Sequence, residues 1–131
     1  MLARLKTLLR PNKQPAHGAA VISATGIRRA PYLASAELRW TEVRRVSIEW
    51  SENPWGDPWA GRYCDTDWVI FPCEGPAMSF WDTEENRASL LNAFAANLAG
   101  FDFDYKQFDA AHSQRILEFE GGSYLVWAKS V

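Results

Sequence analysis

The stretch Arg45–Trp50, R-V-S-I-E-W, decides the fold of this chain. Its apolar residues Val46, Ile48 and Trp50 fall at every second position, and the residues between them are polar. Strict alternation of this kind is typical of a strand that turns one face to a core and the other to water. The chain is therefore expected to be built around an antiparallel sheet, in which one-sided burial is common.

Further strands are predicted on both sides of this segment, from short apolar runs that are bounded by turn residues. They are Ala19–Ala24, Ile27–Leu33, Leu38–Trp40, Trp68–Cys73 and Ala77–Trp81. Pro31 lies within the second run and indicates a sheet edge or a bulge there. Gly75-Pro76 separates the last two runs, which predicts a hairpin.

A helix is predicted over residues 84–98, because Leu90, Phe94 and their apolar neighbours recur at helical spacing. Asp82 or Thr83 is expected to cap it. The elements from the early strands to this helix therefore give an α+β fold.

A shorter second helix is predicted at Tyr105–Ser113, with one of the aspartates before it as its cap. Ile116–Glu120 and Tyr124–Ala128 then flank Gly121-Gly122, which predicts a terminal hairpin or strand. Whether this terminal element joins the main sheet is left open by the sequence.

The 131 residues predict one domain, residues 19–131, behind a basic leader and linker at residues 1–18. Residues 1–36 carry six basic and no acidic residues, whereas the remainder carries eight basic and sixteen acidic ones. A chain polarised in this way can dock on an anionic surface or associate with itself. No run of apolar residues is long enough to span a bilayer, and no secretory signal is evident.

Composition excludes several classes of function. The net charge of −2 argues against nucleic acid as a partner. Cys64 and Cys73 are the only cysteines, so no zinc motif is present, and two reduced thiols in a cytoplasmic protein are expected. A disulfide between them is the alternative. No cofactor motif is found, so no cofactor is expected.

The order V-I-S-A-T-G-I (residues 21–27) and L-R-W-T-E-V-R-R-V-S-I (residues 38–48) resembles the opening of bacterial PH-like domains. The resemblance covers about residues 19–98. It implies an antiparallel meander sheet or partial barrel that is followed by a C-terminal helix. The segment Leu98–Asp102, L-A-G-F-D, is similar to the L-P-G-F-D tail of a group of small uncharacterised bacterial proteins, with Ala99 in place of proline.

Two groups of residues are candidates for binding. Trp55 and Trp59 lie in a loop rich in proline and glycine, N-P-W-G-D-P-W-A-G, and tryptophan is frequent at binding hot spots. They could equally fold back against one end of the sheet. The second group consists of arginines that form a basic patch if the early strands are neighbours. These arginines are Arg28, Arg29, Arg39, Arg44 and Arg45.

Acidic residues and a histidine offer a third possibility. Asp65 and Asp67 share one side of a strand start and could supply oxygen ligands to a divalent cation. His112 follows Asp109 by three residues on the second helix, so the two could form a pair. Solvated surface positions explain the same pattern without any chemistry.

The sequence therefore predicts a non-enzymatic binding module in the bacterial cytoplasm, which recognises a protein and could also be a homodimer or an immunity-type protein. One alternative is peripheral association with anionic lipid, through the leader and the early arginines. Another is a metal-dependent enzyme or small-molecule binder that is built around Asp65, Asp67 and His112.

Overall fold

A computed structural model describes residues 18–30, 36–52, 64–118 and 121–130 of the chain. In these ranges the protein is an α+β fold with two antiparallel sheets and two α-helices. The strands are β1 (Ala20–Ile22), β2 (Gly26–Arg29), β3 (Leu38–Arg39), β4 (Val43–Glu52), β5 (Cys64–Pro72), β6 (Met78–Trp81) and β7 (Gly122–Ala128). The helices are α1 (Glu84–Asn97) and α2 (Tyr105–Glu118).

The larger sheet has four strands in the order β6-β5-β4-β7. Val46 pairs with Ile70 and Ile48 pairs with Trp68, so the alternating residues of β4 and β5 share one face. These four side chains are all fully buried, which confirms the apolar positions of the predicted alternation in β4, whereas Ser47, which was expected to face water, is also buried. We call this side of the sheet the inner face.

The core lies between the inner face and helix α1. Trp68 of β5 and Phe94 of α1 are both fully buried, and their ring centroids are 6.2 Å apart. Phe108 of α2 is also fully buried and lies 6.4 Å from Trp68. Both helices therefore pack on the same side of the sheet.

The smaller sheet, β1-β2-β3, contributes Ile27 and Leu38 to the same core. Gly26 begins β2 opposite Arg39, and a side chain there would collide with the carbonyl oxygen of Leu38. Glycine is needed at this position because the two backbones approach so closely, not because of an unusual backbone angle.

Asn86 joins the two sheets and α1. Its Oδ1 accepts a hydrogen bond from the amide of Ala20 at 3.0 Å, and its Nδ2 donates to the carbonyls of Trp81 and Gly18. The side chain is buried, and it is a hydrogen-bond partner of all three backbone groups, although the carbonyl of Trp81 also accepts from the amide of Thr83.

The predicted cap of α1 is Thr83, whose side-chain oxygen accepts a hydrogen bond from the amide of Asn86. Asp82, the other candidate, instead accepts hydrogen bonds from the indole of Trp68 and the guanidinium of Arg87. The aspartate cap of α2 is Asp104, which accepts from the amide of Gln107.

Of the predicted terminal hairpin or strand, the hairpin is wrong and the strand is present. Ile116 belongs to α2, which runs five residues beyond its predicted end to Glu118, and in the described residues after it the strand is β7. Gly121-Gly122 leads from the helix to the strand instead of joining two strands. Arg115 donates to the carbonyl of Gly121, and its guanidinium occupies the space that a side chain on Gly122 would need.

Strand β7 pairs antiparallel with β4 and extends the main sheet. In the described residues the two sheets do not form a closed barrel, so the expected partial barrel is an open arrangement. Cys64 and the exposed, reduced Cys73 lie at opposite ends of β5. Nine residues of extended strand separate their Cα atoms by about 30 Å, which is too far for a disulfide within the chain.

Candidate functional site

The outer face of the four-stranded sheet is the candidate site. We define this outer face as the side that carries Arg45, Ser47 and Glu49 of β4, together with the residues paired with them. None of these residues belongs to the hydrophobic core or to the apolar residues packed against it. Within the described ranges the helices pack on the inner face and not on this one, although Ser47 at its centre is only 3% exposed.

Strand register arranges the outer face in three rows across the sheet. The acidic row consists of Trp81, Asp67, Glu49 and Ser123. The central row consists of Ser79, Val69, Ser47 and Leu125. The basic row consists of Phe71, Arg45 and Ala128. The face thus changes from acidic through apolar to basic along the strands.

Two large apolar side chains project from this face into solvent. Trp81 is 68% exposed and Leu125 is 58% exposed. Trp81 follows the buried Phe80 on the edge strand β6, so the alternation of that strand turns it outward. Folding alone does not account for two such residues on one face.

The acidic row is held in place by hydrogen bonds and carries uncompensated charge. Glu49 Oε1 accepts from the hydroxyls of Ser47 at 2.8 Å and Ser123 at 2.9 Å. Burial, and then the nearby charge of Asp65, raises the pKa of Asp67 above its ordinary value. Among the described residues, neither Glu49 nor Asp67 forms an ion pair with a basic side chain.

A cleft of about 510 Å³ lies at the acidic end of the sheet. Its lining residues are Asp65, Thr66, Asp67, Trp81, Asp82, His112 and Ile116. The structure therefore brings together Asp65, Asp67 and His112, three residues that the sequence analysis placed in one hypothetical site.

His112 is positioned by the core and not by Asp109. Its Nδ1 accepts a hydrogen bond from the indole of Trp50 at 3.0 Å, and its ring stacks on Phe108 at 5.4 Å. Because Nδ1 accepts, the neutral ring carries its proton on Nε2 and can only donate there. Burial lowers the pKa of His112, which favours this neutral form.

Asp82 is also committed to the structure. Its side chain is 6% exposed, and it accepts hydrogen bonds from Trp68 at 2.8 Å and from Arg87. The same interaction with Asp82 raises the pKa of Arg87. The cleft can therefore offer the carboxylates of Asp65 and Asp67, the Nε2 donor of His112 and the ring of Trp81 to a ligand.

The predicted arginines are divided between two places. Arg44 and Arg45 line a cleft of about 470 Å³ with Lys129, Phe71, Pro72 and Ala128, and none of these described lining residues is acidic. The guanidinium of Arg45 lies 4.1 Å from the centre of the Phe71 ring. Arg29 lines a different cleft with Glu37 and Glu74, and its guanidinium donates to the carbonyl of Ser79.

Arg28 and Arg39 lie on β2 and β3, outside the cleft of Arg44 and Arg45. Both lower the pKa of Glu37, although its hydrogen bonds from Ser23 and Thr25 have the larger effect. Trp55 and Trp59 lie outside the described residues.

Metal binding receives no support from the described part of the chain. Across these residues, no three side chains of histidine, cysteine, aspartate or glutamate are arranged to hold a metal ion.

Sequence reasoning missed the outer-face residues Trp81, Leu125 and Glu49 as a site. The signal for Trp81 was present, because the alternation of Met78 and Phe80 toward the core turns the next residue outward. For Leu125 the sequence offers no signal, because it leaves open whether the terminal element joins the main sheet, and only the pairing of β7 with β4 places Leu125 on the outer face.

No described helix is long and apolar enough to cross a membrane. Comparison with known proteins found no family model, no curated protein and no solved structure that matches this chain.

Proposed function

We propose that this protein is a non-enzymatic binding module of PH-like architecture, which recognises a protein partner through the outer face of its four-stranded sheet. One observation carries the proposal: Trp81 and Leu125 project from the same outer face. Large apolar residues that are exposed together mark interaction surfaces, and tryptophan is enriched at binding hot spots.

The surroundings of these residues also suit a protein interface. Trp81 and Leu125 lie on the two edge strands, and charged and hydroxyl side chains of β5 and β4 lie between them, so the face combines apolar and polar contacts. The main-chain scaffold beneath is a paired sheet, which keeps the side chains in fixed relative positions without the entropic cost of ordering a loop.

The order of elements supports the PH-like part of the proposal. Strands β1 and β2, the short β3 with Trp40, a single helical turn at Trp40–Glu42 and β4 follow one another as the resemblance implies. Strands β4, β5 and β6 form a meander, and α1 follows it. Helix α2 and β7 are additions that cover the inner face and extend the sheet at β4.

Two of the cleft residues are committed to structural contacts and are poor general bases, whereas the carboxylates of Asp65 and Asp67 remain available to a ligand. A general base needs a free lone pair near the substrate. The lone pair of His112 on Nδ1 is used by Trp50, and Asp82 is occupied by Trp68 and Arg87. The exposed thiol of Cys73 supports a location in the reducing cytoplasm.

Site-specific photo-crosslinking in the native cells tests this function. A photoreactive phenylalanine analogue at position 125 should yield a covalent adduct with one polypeptide, which mass spectrometry identifies. The matched control is the same analogue at Ala96, which is exposed on α1. Adducts at position 125 should disappear when Trp81→Ala is combined with the analogue.

The proposal predicts that thermal unfolding of both analogue proteins matches that of the natural chain, because both positions are exposed. Equal adduct patterns at positions 125 and 96, or no adduct at 125, would show that the outer face does not bind protein.

A second function, association with anionic membrane surfaces, is favoured by the cleft of Arg44, Arg45 and Lys129. In the described residues no acid forms an ion pair with Arg44 or Arg45, so their charges are available to an anionic headgroup. Sedimentation with phosphatidylserine vesicles should then fall after Arg44→Gln with Arg45→Gln. Equal sedimentation with purely zwitterionic vesicles would exclude this electrostatic mode.

A further inference from the structure

We infer that the outer face is self-complementary and pairs with a second copy of this chain across a two-fold axis. This inference rests on the proposed function, since it names the partner of the same face. It follows from the positions of opposite charges relative to the central row.

The charged rows lie symmetrically about the central row. On β4, Glu49 and Arg45 each lie two residues from Ser47; on β5, Asp67 and Phe71 each lie two residues from Val69. Two residues of strand correspond to about 7 Å. Consider a two-fold axis that lies in the plane of the interface, perpendicular to the strands and along the central row. A rotation of 180° about this axis places the acidic row of one copy against the basic row of the other.

Two sheets that are stacked in this way bring opposite charges together twice. Glu49 of each copy faces Arg45 of the other, and Asp67 faces the Phe71–Arg45 pair. Isologous interfaces have this property, because every contact occurs in both directions. Because each sheet is twisted, the strands of two stacked sheets cross at about 30°. The long side chain of Arg45 can span the offset that this crossing produces between facing residues.

The alternative two-fold axis, parallel to the strands, is disfavoured by charge. It would place the acidic row of one copy against the acidic row of the other copy, so Glu49 and Asp67 would face like charges. The pKa of Asp67 is already raised by burial and by Asp65, so an additional carboxylate would make the charged form still less favourable.

The central row supplies apolar contact between the copies. Val69 and Leu125 each meet the same residue of the other copy, and Ser47 between them is too small to hold the faces apart. Four strands spaced by about 4.8 Å and seven residues of length give a face of about 400 Å² in projection. This area is below the roughly 800 Å² per partner of a standard interface, so the dimer should dissociate at micromolar concentrations.

Charge reversal tests the inference by sedimentation equilibrium of the full chain. The acid-to-base variant carries Glu49→Lys and Asp67→Lys, and the base-to-acid variant carries Arg45→Glu. Each variant alone should associate at least tenfold more weakly than the natural chain. An equimolar mixture of the two variants should recover a heterodimer, because every reversed row then faces its complement.

Leu125→Arg provides a second test that leaves the charged rows unchanged, and it should also yield monomers. Circular dichroism and thermal unfolding establish that each variant is folded; a variant that fails to fold is replaced by Glu49→Gln or by Arg45→Gln, which should weaken the dimer in the same direction.

Three outcomes would overturn the inference: a natural chain that is monomeric at about millimolar concentration, a dimer that survives all these changes, or variants that do not recover when mixed. A monomeric chain that still crosslinks from position 125 to a different protein would overturn the dimer and leave the proposed function in place.

Discussion

Two tryptophans on neighbouring strands show that the contribution of a residue to stability depends on the face of the sheet that it occupies. Trp68 on β5 is fully buried, whereas Trp81 on β6 is 68% exposed. We expect Trp68→Ala to lower the free energy of unfolding by about 3–5 kcal/mol, because it leaves a large cavity in the core. Trp81→Ala should change it by less than about 0.5 kcal/mol.

Urea denaturation of both variants at low protein concentration, where dimers dissociate, measures this difference. A large loss for Trp81→Ala would show that Trp81 has a structural role that its exposure does not reveal.

The pKa of His112 predicts a pH dependence of stability. Burial lowers its pKa below the ordinary 6.5, so the unfolded chain binds a proton at a pH where the folded chain does not. The stabilisation is complete above about pH 6.5, and it declines as the pH falls through the lowered value. His112→Phe keeps the aromatic stack on Phe108 and should remove this part of the pH dependence.

Urea denaturation between about pH 5 and 8, with the natural chain and His112→Phe compared at each pH, isolates the contribution of His112. Parallel stability curves for the two proteins would contradict the expected coupling.

For single residues, the sequence predicts which side chains are candidates for a site better than it predicts the contacts that these side chains make. Sequence patterns group Asp65, Asp67 and His112 in one hypothetical site, and the three residues do line one cleft. Their partners could not be predicted, because the indole of Trp50 that binds His112 comes from a strand 62 residues away. The placement of Glu49 and Arg45 in opposite rows of the outer face could be recognised only from the pairing of the strands.

At the scale of elements, Asn86 is the main polar connection between α1, β1 and the end of β6. Asn86→Ala would remove a partner from the amide of Ala20 and from the carbonyls of Gly18 and Trp81, of which the Trp81 carbonyl keeps its hydrogen bond from the amide of Thr83. We expect a loss of about 3 kcal/mol, since unsatisfied buried groups cost about 1–3 kcal/mol each and water can reach some of them.

Asn92→Ala is the matched control, because Asn92 is an exposed residue of the same helix. Its stability should stay within about 0.5 kcal/mol of the natural chain. If hydrogen exchange of the Ala20 amide does not accelerate in Asn86→Ala, the proposed connection to β1 is wrong.

The elements with strong local patterns were predictable, and those whose ends depend on distant contacts were not. Alternation placed β4, and helical spacing with a threonine cap placed α1. Gly121-Gly122 suggested a hairpin because a glycine pair is a local turn signal. In the structure these glycines instead connect α2 to β7. Arg115 contacts both of them, and β7 then pairs with β4.

At the scale of the whole molecule, the charge asymmetry that matters lies within one sheet and crosses the strands. The sequence has a basic beginning and an acidic remainder, which is a different asymmetry. It does not show that Glu49 and Arg45, four residues apart, lie at opposite ends of one face of the sheet. Period-two alternation places both on the same side, and Ser47 of the central row lies between them.

This polarity predicts how self-association responds to salt. The charges of the two rows meet at an exposed interface, and the screening length falls from about 10 Å at 0.1 M salt to about 3 Å at 1 M. We expect the dimer dissociation constant to rise roughly tenfold over that range, because screening weakens the contacts of Glu49 and Arg45 with their partners. Sedimentation equilibrium at several sodium chloride concentrations measures the dependence.

Leu125→Ala should weaken association at every salt concentration, since it removes apolar contact. It should leave the slope of the dissociation constant against salt concentration nearly unchanged, since it removes no charge. Arg45→Gln should flatten the slope, because it removes one of the two charges in each symmetric contact. Salt-strengthened association would instead indicate an interface that is held by the apolar row alone. The pair of slopes therefore separates the contribution of the charged rows from that of Val69 and Leu125.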